Sequence, residues 1–171
     1  EQVPLAADKI VYDRFHIMQH MNNAVNKVRV AEHRDLSTKG DATLKGTKHW
    51  WLYNYANVPD KYLRKFEAVR DQNLQTSRAW AIKETLRDLW QYKSKTWARK
   101  FFNQWFGWAR RSKLAPIKKV ALTFKRHLDN ILTYCEHQIT NGVAEGLNSK
   151  IMSIKRKAGG FRNAQHFTTA I

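Results

Sequence analysis

Apolar side chains recur every three to four residues along most of this 171-residue chain, a spacing that predicts amphipathic helices. The first helix is predicted from about 14 to 34, with Met18, Met21, Val25 and Val28 as its core stripe and Phe15 joining it. After Asn57 only helices are predicted. The first of them starts near Pro59, and the second runs from about Leu74 to Tyr92. The third is capped by Ser94, and the fourth opens at Pro116 and continues as far as Cys135.

Two short segments have the composition of strands. Lys9 to Tyr12 is apolar and β-branched, and it predicts a buried strand that ends at Asp13. His49 to Tyr53 is dense in aromatic residues and predicts a second strand, with a short helix as the alternative. Strand, Asp and helix in succession are typical of an α/β layer, so the predicted fold class is α/β and mostly helical.

The third helix of the later group has an aromatic stripe. Trp97, Phe101, Trp105 and Trp108 share one predicted face, which Phe102 widens. Tryptophans at helical spacing usually pack in a core, whereas base-stacking surfaces are less common. We therefore interpret the stripe as core, and the four helices as a bundle-like insertion.

One carboxylate, Glu145, stands in a cationic helical stretch near the C-terminus. A helix is predicted from about Val143 to Ala158, ended by Gly159 and Gly160. Leu147, Ile151, Ile154 and Ala158 form its buried stripe, and Glu145, Asn148, Met152 and Lys155 form a second one. Two interpretations of Glu145 stay open: a solvated glutamate that balances lysines, or a metal ligand where nucleic acid binds.

The charge balance favours a polyanionic partner. The chain has 31 Lys plus Arg against 14 Asp plus Glu, a formal net charge of +17, so nucleic acid is the expected partner. With 43% hydrophobic residues the chain should fold. It contains no run of about 18 apolar residues, the length that would predict a membrane span. The single cysteine, Cys135, fits a cytosolic protein and is predicted to be a core residue. We expect a fragment of a longer protein, because the sequence begins without methionine.

Asp13 and Glu145 together suggest metal chemistry. Carboxylates beside a basic surface suit Mg²⁺ or Mn²⁺, and two such ions about 3.5 to 4 Å apart can catalyse phosphoryl transfer. Nuclease or transposase chemistry is the resulting hypothesis.

Four segments carry a family resemblance. They are VYDRFH (11–16), LKGTKHWWLYN (44–54), WARRSKL (108–114) and ITNGVAEGLNSKIMSIKRKAGGFRN (139–163). In this order they resemble the catalytic half of bacterial insertion-sequence transposases of the ISL-three group. The most specific parts are an Asp followed by Arg-Phe-His, and an Asn-x-x-x-Glu-x-x-Asn helix followed by Lys-Arg and Gly-Phe-Arg-Asn.

The resemblance implies a ribonuclease-H-like core interrupted by an all-α insertion, with an Asp, Asp, Glu triad. Asp13 matches the second Asp and Glu145 the Glu, while the first Asp would precede Glu1, so this chain should hold an incomplete active site. The implied divisions are 1–56 for the partial core, 57–137 for the insertion, and 138–171 for the rest of the core. Two Mg²⁺ or Mn²⁺ ions are the implied cofactors.

Further residues have supporting roles in this interpretation. His16 matches a family position beside the catalytic Asp, and a packed or capping histidine is its alternative. Asn148 is expected to order the site or contact phosphate. The expected contacts to the DNA backbone are Lys150, Lys155, Arg156 and Arg162, with a solvated basic face as the alternative.

The leading hypothesis is a catalytic fragment of a DNA transposase that, in the intact protein, cleaves and transfers DNA strands. The expected partner is double-stranded DNA, at transposon ends and target, with a homodimer on DNA as one arrangement, in the bacterial cytoplasm at the nucleoid. The alternative is a non-catalytic basic helical module that binds nucleic acid. A domain that binds an acidic protein is a third hypothesis.

Overall fold

The computed structural model describes residues 13–137 and 142–157, and these residues are mostly helical. The α-helices are α1 (Arg14–Ser37), α2 (Asp60–Arg70), α3 (Gln75–Leu86), α4 (Lys95–Arg111), α5 (Ala115–Arg126), α6 (Leu128–His137) and α7 (Gly142–Lys157). Short 3₁₀ helices lie at Trp50–Leu52, Tyr55–Asn57 and Arg87–Gln91. Helices α1 to α6 belong to one compact unit and α7 to a second. The predicted divisions at residues 57 and 138 stay predictions.

The strand predicted at His49 to Tyr53 is wrong, and its short-helix alternative is correct: Trp50–Leu52 is a 3₁₀ helix. The buried Trp51 donates its indole N–H to Thr47 Oγ1 at 3.1 Å, a bond within the same segment. The carbonyl oxygens of the segment accept hydrogen bonds from the Lys83 side chain. No strand occurs in the described residues, and the predicted strand at Lys9 to Tyr12 lies outside them.

Helix α1 packs against α3 and α5 and forms one wall of the core. Its predicted stripe is confirmed, with Met21, Val25 and Val28 buried and Met18 partly buried. Ile17 is the buried residue of the first turn. Phe15 was expected to join this stripe but is 58% exposed, because the core-facing side chain of the first turn is Ile17.

The aromatic stripe of α4 is rotated from its predicted position. Its buried residues are Ala98, Phe102, Trp105 and Ala109, whereas Trp97 and Trp108 are exposed and Phe101 is partly buried. The indole of Trp105 donates a hydrogen bond to the Ile82 carbonyl at 2.8 Å inside the core. The two alanines on the same face let α4 lie close to its neighbours, so this face packs better than the all-aromatic one.

The helix predicted from Pro116 to Cys135 is two helices, α5 and α6, which are separated at His127. At the apolar positions of this periodicity, Ile117, Phe124, Ile131 and Cys135 are buried, and Val120 is partly buried. The periodicity therefore identified the buried face correctly but did not indicate the break.

Helix α3 is capped from another helix. Its own N-cap residue, Leu74, has no side-chain acceptor. The buried carboxylate of Glu32 in α1 accepts hydrogen bonds from Gln75 N and Thr76 N, each at 2.7 Å, and from Thr76 Oγ1 at 2.6 Å. This carboxylate satisfies two of the free N–H groups at the helix start and lies at the positive end of the helix dipole. It ties α1 to α3.

Glu32→Gln is expected to destabilise the fold by roughly 1–3 kcal/mol, because the new NH₂ group cannot accept a hydrogen bond from a backbone N–H. Urea denaturation followed by circular dichroism measures this loss. Asp35→Asn, at an exposed position in the same helix, is the matched control. Equal stability of the two variants would contradict the cap.

Candidate active site and nucleic-acid surface

Asp13 is the N-cap of α1. Its backbone is extended (φ −64°, ψ 131°), and its Oδ1 accepts a hydrogen bond from Phe15 N at 2.7 Å. Asp is a preferred N-cap residue, so the sequence at the start of this helix explains the conformation. The side chain is only half-buried, and its second oxygen has no hydrogen-bond partner among the described residues. The cap thus orients the carboxylate and leaves one oxygen available.

His16 lies in the first turn of the same helix and is exposed. Its ring meets the Phe15 ring edge to face, with 5.6 Å between centroids. The capping alternative for His16 does not hold, since Asp13 is the residue that caps the helix. Its role beside the carboxylate stays a prediction.

Arg14, the residue after Asp13, lines an open cavity of about 600 Å³. Its walls carry two guanidinium groups and two carboxylates, from Arg14, Arg87, Glu84 and Asp88. Glu84 Oε2 accepts a hydrogen bond from Tyr55 N at 3.1 Å, and the buried Glu84 Oε1 lies 3.5 Å from Lys83 Nζ, an ion pair. A depression of this kind can bind a polar, partly anionic chain. No sequence pattern indicates this cavity, because its residues are brought together only by the packing of three segments.

Lys83 supports one wall of this cavity from inside the core. Its side chain is fully buried, and its Nζ donates hydrogen bonds to the carbonyls of Trp51 at 2.8 Å, Leu52 at 3.3 Å and Tyr53 at 3.0 Å. Burial lowers the pKa of Lys83 to about 8, and the neighbouring carboxylate of Glu84 opposes this shift. Lys83 is thus a structural residue that holds the aromatic 3₁₀ segment in place.

Helix α7 carries Glu145 as its fourth residue, and its bounds agree with the predicted ones to within one residue. Ile151 and Ile154 are half-buried while Met152 is 48% exposed, as the two predicted stripes require. The side chains of Glu145, Asn148 and Lys155 lie outside the described part of the structure, as do Ala158 and Arg162.

Two of the predicted DNA contacts are described. Lys150 and Arg156 are both exposed, and Arg156 Nε donates to the Met152 carbonyl at 3.3 Å. These two cations are accessible to a partner, and their binding to DNA stays a prediction.

The described residues contain no group of three or more His, Cys, Asp or Glu side chains that could hold a metal ion. Asp13 and Glu145 belong to separate compact units, so their pairing at one site stays a prediction. The second carboxylate oxygen of Asp13, which has no hydrogen-bond partner among residues 13–137, is a hard donor of the kind that Mg²⁺ and Mn²⁺ prefer. None of the helices in the described ranges is both long and apolar enough to cross a membrane.

Comparison with known proteins confirms the family resemblance. A family model for transposases, the DDE transposases of the ISL3 group, matches residues 1–171. The transposase for insertion sequence element IS1001 of Bordetella parapertussis is 28% identical over 162 residues, covering 93% of this chain and 40% of that protein. The transposase for IS1557 of Mycobacterium tuberculosis is 27% identical over 122 residues, covering 71% of this chain and 27% of the relative.

No solved structure matches the chain with significant similarity. The chain spans 40% or less of the length of these curated relatives. Since the family model covers every residue, this chain belongs to the transposases of the ISL3 group.

Proposed function

We propose that this chain carries part of the catalytic domain of a DNA transposase, which in the intact protein cleaves DNA at the ends of an insertion sequence and transfers the freed strand to target DNA. The observation that carries the proposal is Asp13: a half-buried, helix-capping carboxylate, in a chain that matches the family along its whole length.

The proposal includes the family's catalytic framework. The core would be ribonuclease-H-like, with α2 to α6 in the segment inserted between its strands and the Glu145 helix. Asp13 and Glu145 would be the second and third members of an Asp, Asp, Glu triad, and the first Asp would lie upstream of Glu1 in the intact protein.

Asp13 and Glu145 would hold Mg²⁺ or Mn²⁺, two ions in the intact site. When bound, such ions make a water or hydroxyl oxygen more nucleophilic and stabilise the leaving oxygen of the phosphodiester. The chain's own contribution at Asp13 is orientation, because the Phe15 N–H fixes one carboxylate oxygen by a hydrogen bond.

The basic residues of the α7 segment would bind the DNA backbone. Lys150 and Arg156 are exposed cations, and Lys155 and Arg162 would extend the same surface. Such contacts position the duplex without reading its sequence, so they suit both transposon ends and target. His16 and Asn148 would support the site by contacting phosphate or the neighbouring carboxylate. A homodimer on DNA, in the bacterial cytoplasm at the nucleoid, completes the proposal.

The experiment that tests this function uses the full-length transposase and a duplex that carries the terminal repeat of its element. We expect a strand break at the end of the repeat when Mg²⁺ or Mn²⁺ is present, and none with EDTA. Binding without cleavage under all metal conditions would refute the proposal. It would favour the alternative of a non-catalytic nucleic-acid-binding module, which the basic charge of the chain also supports.

A further inference from the structure

Helix α4 presents an exposed face that is both aromatic and basic. Trp97 is 59% exposed and Trp108 is 39% exposed, although both are large apolar side chains. Lys100, Gln104 and Arg111 are exposed as well. We call these five residues the α4 outer face. The core does not use them, because α4 packs through Ala98, Phe102, Trp105 and Ala109 on its other side.

The five residues follow the helical repeat. Trp97 and Trp108 are eleven positions apart, or about three turns, which places them within roughly 20° of rotation and about 16 Å along the axis. Lys100 and Arg111 each follow a tryptophan by three positions, so an indole and a cation occur as a pair twice. In the first pair, Lys100 Nζ lies 5.1 Å from the centre of the Trp97 ring.

The charge of α4 selects an anionic partner. The helix contains no Asp or Glu, and its cationic residues are Lys95, Arg99, Lys100, Arg110 and Arg111, of which Arg99 is already ion-paired with Asp129 of α6. A second copy of the chain would bring the same positive charges against these, which is unfavourable. An acidic protein could neutralise the cations of α4, but it has no aromatic groups at a regular spacing to stack on the two indole rings. A nucleic-acid strand offers both a phosphate charge and an aromatic base at every step.

We propose that the α4 outer face binds single-stranded DNA, with Trp97 and Trp108 stacking on unpaired bases and with Lys100 and Arg111 binding the phosphates. Unpaired DNA is the specific partner because the faces of bases within a duplex are covered by their neighbours. A separation of about 16 Å corresponds to roughly five stacked nucleotides at 3.4 Å each. This inference rests on the proposed function, since it names the form of DNA that a second surface of the transposase binds.

The test measures binding of the 171-residue chain to a fluorescein-labelled oligonucleotide and to its duplex by fluorescence anisotropy. Trp97→Ala and Trp108→Ala are each expected to weaken binding of the single strand about 5- to 100-fold, the range for losing one stacked base. Binding of the duplex should change less than twofold. Trp97→Phe should recover most of the affinity, because a smaller ring still stacks.

The matched control is Leu122→Ala, which removes an exposed apolar side chain that is 43% accessible on the neighbouring helix α5. It should bind both DNA forms as the unaltered chain does. Trp97 is 59% exposed, so Trp97→Ala should melt like the unaltered chain, whereas Trp108, at 39% exposed, is largely covered by the protein and Trp108→Ala should melt somewhat lower. Comparing the melting temperatures separates lost contacts from lost folding.

Two results would overturn the inference. The first is that both Trp variants bind the single strand as tightly as the unaltered chain, or that they lose as much affinity for the duplex as for the single strand. The second is a shift from dimer to monomer caused by Trp97→Ala in analytical ultracentrifugation, which would assign the face to self-association. Neither result bears on strand cleavage by the full-length protein. Conversely, absent cleavage with intact Trp-dependent binding would refute only the proposed function.

Discussion

Asp13→Asn in the full-length transposase is expected to lower the rate of strand cleavage by about 10³-fold and to leave the melting temperature unchanged. The amide is isosteric with the carboxylate, and Asn is as good an N-cap acceptor as Asp, so the hydrogen bond from Phe15 N persists. The charge that would hold a metal ion is lost, and metal-assisted stabilisation of the transition state is worth several kcal/mol. Glu145→Gln should show the same loss of activity.

Two further variants separate catalysis from folding. Asp35→Asn removes an exposed carboxylate at the other end of the same helix and should cleave DNA normally. Asp13→Ala should lose both activity and about 1 kcal/mol of stability, because alanine cannot cap the helix. Cleavage by Asp13→Asn at an undiminished rate would contradict the assignment of Asp13 as a ligand.

Lys83→Met is expected to cause the largest loss of stability, roughly 3 kcal/mol, or a drop in melting temperature of roughly 6–12 °C. Methionine has nearly the same length, so packing is kept. The carbonyls of Trp51, Leu52 and Tyr53 lose their donor while they remain inside the protein. Lys65→Met, on the exposed side of α2, is the control and should melt like the unaltered chain. Melting of Lys83→Met at the control temperature would contradict the structural role of Lys83.

The pH dependence of this effect has a definite sign. The pKa of Lys83 is about 8 in the folded state against 10.5 for an ordinary lysine, because burial disfavours the charged form. Between these values the unfolded chain binds more protons, so stability increases as pH rises through this window. The stability of the unaltered chain relative to Lys83→Met should therefore rise by roughly 3 kcal/mol from pH 8 to 10.5. A constant difference across this range would contradict the shift.

The sequence predicted those parts of the fold that depend on local periodicity. Helix α1 with its buried residues follows from apolar spacing alone, and so does helix α7, where Ile151 and Ile154 are half-buried rather than fully buried as predicted. The segment around Trp51 did not, because aromatic runs fit a strand and a buried 3₁₀ turn equally well, and the donor that decides between them is Lys83, more than thirty residues away along the chain.

The apolar spacing did not predict which side of α4 is buried, for a related reason. With aromatic residues on several sides of one helix, the buried side depends on which indole finds a carbonyl and where small residues allow close packing. Trp105 has the Ile82 carbonyl and Ala98 and Ala109 beside it, so Trp97 and Trp108 remain exposed. Glu32 was likewise missed as a cap, since its partners at Gln75 and Thr76 lie on a distant helix.

The candidate site was predicted unequally. Asp13 was predicted as a ligand from its position at the end of the predicted strand and from the motif around it, and the structure shows it as a half-buried helix cap. The cavity that begins at Arg14 was not predicted, because Glu84 and Arg87 look in the sequence like ordinary charges on a helix surface. Motifs identify ligands, whereas the surrounding walls depend on tertiary packing.

Exchange of the ligand atom tests whether Asp13 and Glu145 bind metal ions in DNA cleavage. A thiolate is a soft donor that Mg²⁺ binds poorly and Mn²⁺ accepts more readily. We expect full-length Asp13→Cys and Glu145→Cys to lose cleavage in Mg²⁺ and to regain a substantial part of it in Mn²⁺. If these variants cleave DNA as fast as the unaltered transposase in both Mg²⁺ and Mn²⁺, the assignment of Asp13 and Glu145 as metal ligands is contradicted.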